Sequence, residues 1–280
     1  MNTSNVYMHR YGDPDAPVTM IGLHGWSGDH TTFAQIAPHL GPNDALLAVD
    51  MPGYGQSPDP PSWSMDVIAQ ILADAITEAT EPGSPLTLVG TCSGAVVCLK
   101  LAPLLGDRLA HMVMVEPFAF MPWYFGIFLT PVLGRFFYWT AFENPIGKWI
   151  TNQSLKDNRT DDSDLSASFD QTRSTTTLGY LRLMDQMGDA HTHAGITRAP
   201  ITLLHGSKTF AAVHQSVDIW SEVWPWATRH LLEGGGHLLL EEVPQKAAPL
   251  LRRDGSGGDQ DVVDTLAQRL TDPVQTGLDG

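Results

Sequence analysis

Cys92 stands between two glycines where an apolar run gives way to a helix-like one, and that placement invites nucleophilic chemistry. Residues 86–89 (Leu-Thr-Leu-Val) are short and apolar enough for a buried strand, and from Ala95 onward small and apolar residues recur at helical spacing. Between them, Gly90-Thr91-Cys92-Ser93-Gly94 has the Gly-x-nucleophile-x-Gly spacing of a sharp strand-to-helix turn. In such a turn the middle residue sits at a strained backbone angle, and the flanking glycines let strand and helix pack closely. The middle side chain is exposed at a helix N-terminus, where backbone N–H groups and the helix dipole favour an anion, here a thiolate. Two competing readings are a small, inert, buried Cys92 and a nucleophilic Ser93. The second fits less well, since Thr91 and Ala95 replace the glycine pair.

The elements that must hold this turn read in order. An apolar strand over 18–23 ends in His24-Gly25-Trp26, a helix is expected over 31–40, and a strand over 45–49 runs into Asp50-Met51-Pro52-Gly53-Tyr54-Gly55-Gln56-Ser57. Ser64 can cap a helix over 65–79. A buried strand over 111–115 delivers Glu116 at its carboxyl end, where active sites of open α/β sheets gather. Further strands are expected over 201–204 and 228–232, the last followed by Gly234-Gly235-Gly236-His237. This alternation implies an α/β fold with a mostly parallel sheet covered by helices on both faces. Residues 1–117 and 198–252 form its core, 118–197 interrupt it as an inserted helical cap, and 253–280 read as linker and C-terminal tail with a short amphipathic segment over 262–270.

At these motifs the chain resembles the α/β-hydrolase superfamily, with cysteine where serine or aspartate is usual. The resemblance covers about residues 18–118 and 198–250, and leaves the cap unmatched. It implies His237 as the base, and an oxyanion hole made by the backbone N–H groups of Trp26 and Ser93. It departs after the strand over 201–204: Thr209 stands where the acid is usual. The stretch from Val115 through Trp123 is similar to haloalkane dehalogenase relatives that carry a glutamate after the earlier strand, which implies Glu116 as the acid. Asp218 is the runner-up, a strand-capping glutamate the bland reading, and Asp50 and His24 read as structural.

Twelve of the 24 aromatic residues fall within 118–149, and no charge occurs from Pro117 to Gly134. Pro122 and Pro131 break this run, which argues against a membrane span. The stretch is expected to line an apolar pocket over Cys92, with Phe120, Trp123 and Phe125 as its candidates; membrane contact through the cap is the lesser expectation. A net charge of −15 with five lysines argues against nucleic acid as a partner. No signal peptide is read at the start, a Cys92–Cys98 disulfide is sterically disfavoured, and a cytoplasmic location is expected. His191-Thr192-His193 is too sparse for a metal site, so neither metal nor cofactor is expected.

These features together imply an acyl hydrolase or acyltransferase forming an S-acyl-cysteine. Its expected substrate is a small-molecule ester or thioester with an apolar acyl group, with an acyl-carrier thioester as one form. A dehalogenase reaction is excluded, since alkylated cysteine is a thioether that water does not readily cleave. The alternatives are a lyase or carbon–carbon bond enzyme using the Cys92/His237 pair for proton transfer, a β-lactone-processing enzyme and, last, a non-catalytic binder.

Overall fold

The computed structural model describes residues 5–158, 160, 169 and 172–252. The expected linker, amphipathic segment and tail over 253–280 lie outside them. Seven strands form one sheet in the order β1-β3-β2-β4-β5-β6-β7. They are β1 (Met8–Gly12), β2 (Met20–Leu23), β3 (Ala45–Val49), β4 (Leu86–Thr91), β5 (Leu109–Val115), β6 (Ile201–Gly206) and β7 (Thr228–Leu232). Only β1 runs antiparallel, against β3; every other pair is parallel. The central strands β2 to β6 are buried along nearly their whole length, as their continuous apolar sequences require of strands covered on both faces.

Two elements depart from expectation. β1 has the sequence Met-His-Arg-Tyr-Gly, with no apolar run to announce it, and is a half-buried edge strand where polar residues are tolerated. The helix expected over 31–40 is instead two single 3₁₀ turns, His30–Phe33 and Ala37–His39. Asp29 caps the first by accepting from the Thr31 backbone N–H at 2.8 Å, and Pro38 lies inside the second.

Helix α1 (Met65–Ala79) buries Ile68, Leu72 and Ile76, and α2 (Ser93–Leu105) runs back from the end of β4. Among the described residues between β5 and β6 lie four α-helices. They are α3 (Trp123–Gly126), α4 (Gly134–Tyr138) continuing into a π turn (Trp139–Glu143), α5 (Pro145–Ser154) and α6 (Ser174–Asp185). α6 is fastened to the loop after β3: the Thr176 hydroxyl donates to the Gly53 carbonyl and the Tyr180 hydroxyl to that of Pro52, both at 3.1 Å. Helix α7 (Ala211–Val223) covers β6, and α8 (Leu239–Glu242) follows β7. No single helix among the described residues is long and apolar enough to cross a membrane.

Candidate functional site

The glycines around Cys92 are fixed by close approaches that no side chain would survive. A Cβ on Gly94 would lie 2.4 Å from the Leu23 carbonyl oxygen, and one on Gly90 would lie 2.7 Å from the Ala95 backbone nitrogen. Cys92 itself is held at φ +48°, ψ −111°, in a region L-residues rarely adopt, with its N–H donating to the Val115 carbonyl at 2.9 Å. Strain of this kind costs on the order of 1–3 kcal/mol and persists where the surroundings over-determine it. Here β4, β5 and α2 do so. The result is a half-buried thiol at the head of α2, whereas Cys98, one turn and a half further on, is fully buried with its thiol pushed well up by desolvation. Both cysteines are unpaired.

Three strand ends converge on this thiol. Cys92 and His237 face the same cavity, close enough for the thiol to favour the charged imidazole, and His237 Nδ1 lies 3.0 Å from Glu116 Oε2. Glu116 stands directly after β5, also at a positive φ of +53°, and is buried to 1 % exposure. Its carboxylate accepts from the Gly206 backbone N–H at 2.7 Å and from the Thr209 hydroxyl. Thr209, which occupies the place of a missing acid, thus donates to the carboxylate that reaches the histidine. The sequence flagged the position but not this bond. Gly206 is required for a separate reason: a Cβ there would meet the Gly235 carbonyl oxygen at 2.3 Å, so the glycine run before His237 packs directly on β6.

The electrostatics follow from burial and partners. Desolvation works against a charged His237, but the hydrogen bonds and charges of Cys92 and Glu116 outweigh it and push the imidazole up to about 10. Burial pushes the Glu116 carboxyl up from its ordinary value, against the opposing pull of His237, Thr209 and Gly206. The arrangement favours a proton resting on the imidazole between a sulfur and a carboxylate.

Gly25 lies against Cys92, its Cβ position 3.3 Å from that of Cys92, which sets the next residue, Trp26, beside the thiol. Among the described residues, neither the Trp26 nor the Ser93 backbone N–H donates to a backbone carbonyl. The Trp26 indole donates to the Thr177 carbonyl at 2.8 Å and is boxed edge-on by Phe125, Phe142 and Phe169, at ring separations of 5.3, 5.6 and 4.9 Å. These rings, with Cys92 and His237, line a cavity of about 350 Å³. Asp29, Thr31, Asn152 and Glu241 also contribute to its lining.

Of the three aromatic residues expected in the pocket, only Phe125 is there. Trp123 is 80 % exposed, and Phe120 packs against the main core. Two residues apart on a helical turn point to nearly opposite sides, so Phe125 facing inward turns Trp123 outward. Phe142, Phe169, Leu155 and Phe210 line the cavity without having been singled out in the sequence. Among other candidates, His24 is buried, with its Nε2 accepting from the Met51 N–H at 3.1 Å. Asp50 accepts from the backbone N–H and Nδ1 of His30 and from the Gln56 N–H, and Asp218 pairs at the surface with Arg229. His191 is exposed beside Asp189.

Residues 18–244 match the alpha/beta hydrolase fold family, and the chain belongs to it. Among curated proteins, it is 28 % identical over 113 residues to Lipase LipV of Mycobacterium tuberculosis, a match covering 40 % of this chain and 42 % of that protein. It is 33 % identical over 98 residues to the pimeloyl-[acyl-carrier protein] methyl ester esterase of Photobacterium profundum, covering 34 % and 35 %. The matched stretch therefore spans less than half the length of these relatives. Among solved structures, Cfl2 from Burkholderia cenocepacia superposes with a TM-score of 0.70 at 17 % identity, over 90 % of this chain and 93 % of that one, a likeness of fold.

Proposed function

We propose that the protein is a cysteine-dependent acyl hydrolase or acyltransferase acting on an ester or thioester with an apolar acyl group. The observation that carries this reading is the strained thiol at the head of α2, sharing an aromatic-walled cavity with an imidazole whose Nδ1 meets a buried carboxylate. A nucleophile, a base and a group that orients the base in this order match the logic of covalent acyl transfer. The cavity volume falls in the range of about 300–1,000 Å³ usual for small-molecule sites. Relatives named as a lipase and as a pimeloyl-[acyl-carrier protein] methyl ester esterase support ester chemistry, and the second makes a carrier-bound acyl group a reasonable substrate form.

In this reading the Cys92 thiolate attacks the acyl carbonyl carbon while His237 holds the proton. The Trp26 and Ser93 amides donate to the developing oxyanion, each worth about 2.7–4 kcal/mol of barrier. Collapse expels the alkoxide or thiolate, which takes its proton from His237, and leaves an S-acyl thioester on Cys92. Water or another acceptor then gives its proton to His237, attacks the thioester carbonyl and releases the thiol. Glu116 fixes the tautomer that points Nε2 at the chemistry and supports the imidazolium.

The test is intact-mass analysis after mixing with p-nitrophenyl esters and N-acetylcysteamine thioesters of graded acyl length. An acyl mass on the wild type and on Ser93→Ala, absent from Cys92→Ala, is the expected result. An adduct that survives Cys92→Ala, or turnover of these esters that Cys92→Ala leaves undiminished, overturns it.

A further inference from the structure

The aromatic residues of α3 to α5 are divided between two faces. Phe128, Tyr138 and Phe142 turn inward and pack with Phe169, Leu178 and Trp26. Phe125 faces the cavity with Tyr124 packed beside it, while Trp123, Phe136, Phe137, Trp139 and Trp149 turn outward. Of fourteen large apolar side chains exposed among the described residues, ten lie within residues 123–150, so exposed apolar surface is concentrated in this segment rather than scattered along the chain. Val132 (95 % exposed), Trp123 (80 %), Ile146 (71 %) and Trp149 (65 %) protrude furthest.

The backbone holds this face in place. The segments Trp123–Leu129 and Gly134–Glu143 meet at 117°, so the apolar stretch is sharply bent at the break around Pro131-Val132. A Cβ on Gly134 would lie 2.2 Å from the Phe128 carbonyl oxygen, and one on Gly147 would collide with that of Thr140. The three helices are therefore locked together as a platform, with an apolar tip at Val132.

Charge indicates what the platform meets. Residues 118–155 carry only Arg135, Glu143 and Lys148, a net +1, in a chain of net −15. An acidic body with an almost uncharged apolar face has no electrostatic hold on anionic lipid, yet it leaves nothing charged to bury against a zwitterionic one. Exposed tryptophans are the side chains that settle at such a boundary, with the ring in the apolar zone and the indole N–H in the wet one. A second copy of the chain fits worse, because a twofold contact would set protruding side chains against protruding side chains.

We propose that the outer face of residues 123–150 docks on a zwitterionic lipid surface. The same elements supply Phe125, Phe142, Thr151, Asn152 and Leu155 to the cavity wall, so docking sets that cavity against the lipid. The proposal concerns binding alone and stands apart from the chemistry at Cys92.

The test is flotation of the full chain with phosphatidylcholine vesicles, comparing the wild type, Cys92→Ala and the double variant Val132→Asp/Ile146→Asp. Circular dichroism and a thermal melt check that the variants are folded. Wild type and Cys92→Ala should float equally, with little change between 0.1 and 0.5 M salt, because apolar contact is not screened. The double variant should lose about tenfold or more in partitioning and keep its turnover of a short soluble ester. Failure of the wild type to float, binding confined to anionic vesicles and abolished by salt, or unchanged binding of the double variant overturns the proposal. So does a concentration-dependent dimer that the double variant dissociates, which assigns the face to a second copy. Loss of activity in Cys92→Ala with flotation intact separates this inference from the catalytic one.

Discussion

The end of the sheet and the helices above it are built on different physical terms. At the sheet end, main-chain contacts fix everything: Cys92 and Glu116 both sit at positive φ, and three glycines have no room for a Cβ. Above it, short helices pack through aromatic rings, leave much apolar surface outside, and include Gly126, whose Cβ position has no neighbour within 4 Å. The first region fixes atoms to fractions of an ångström, as covalent catalysis needs. The second encloses a volume, which many sequences can do. Substitutions should therefore be severe and specific below, and mild or graded above except at Gly134 and Gly147, where one backbone segment packs directly on another.

The largest expected effect is at the thiol. Cys92→Ala should lower kcat/KM for an activated ester by about 10⁴-fold or more, since on the proposed mechanism it removes the nucleophile and with it the covalent path. Steady-state assays with purified variants decide it, and a loss of only a few-fold would break the comparison at its base. Glu116→Gln comes next, at about 10³-fold in kcat, because the amide no longer fixes the imidazole or supports its charge. The same variant should move the His237 midpoint, read by NMR, down from its wild-type position of about 10. The folded state holds this proton more tightly than the unfolded chain, whose histidine titrates near 6.5. Stability from the site is thus complete below about pH 6.5 and is lost as pH rises through about 10. Wild-type melting temperature should fall across that window more steeply than that of Glu116→Gln.

How much of this was legible follows the same division. The turn at Cys92, the strand ahead of Glu116 and the glycine run before His237 are written as residue types at fixed spacing, because each close approach demands glycine and each buried strand an apolar run. Edge strand β1 escaped because an edge can be polar, and the helix expected over 31–40 dissolved into 3₁₀ turns around Asp29 and Pro38. Thr209 was visible only as a departure from pattern; that it donates to Glu116 depends on β5 and β6 being neighbours. The cavity wall was least legible. Composition announces many aromatic residues between β5 and β6, but which face each takes depends on where short helices begin, and that misplaced Trp123 and Phe120.

Paired substitutions in the two regions sharpen the point. Gly94→Ala should destabilise the fold by on the order of 3 kcal/mol, because its Cβ would lie 2.4 Å from a backbone oxygen that cannot move aside. Phe125→Ala should raise KM for longer acyl esters by about tenfold through loss of buried wall, and Trp123→Ala should leave it unchanged for a soluble ester. Chain-length series on both variants would settle which ring faces the acyl group.

The smallest effect carries the sign that distinguishes the regions. Gly126→Ala adds a methyl group where nothing lies within 4 Å, in a helical turn whose φ is negative and acceptable to any L-residue. The folded state therefore takes on no clash, while the unfolded chain loses some of the freedom that glycine gives it. The balance is a gain of about 0.4–1 kcal/mol, measured as a higher urea midpoint with an unchanged slope. One substitution type would then destabilise at position 94 and stabilise at position 126. If both positions lost stability, the helices over the cavity would be as tightly fitted as the turn beneath them, and the distinction between a fixed site and a tolerant enclosure would have to be given up.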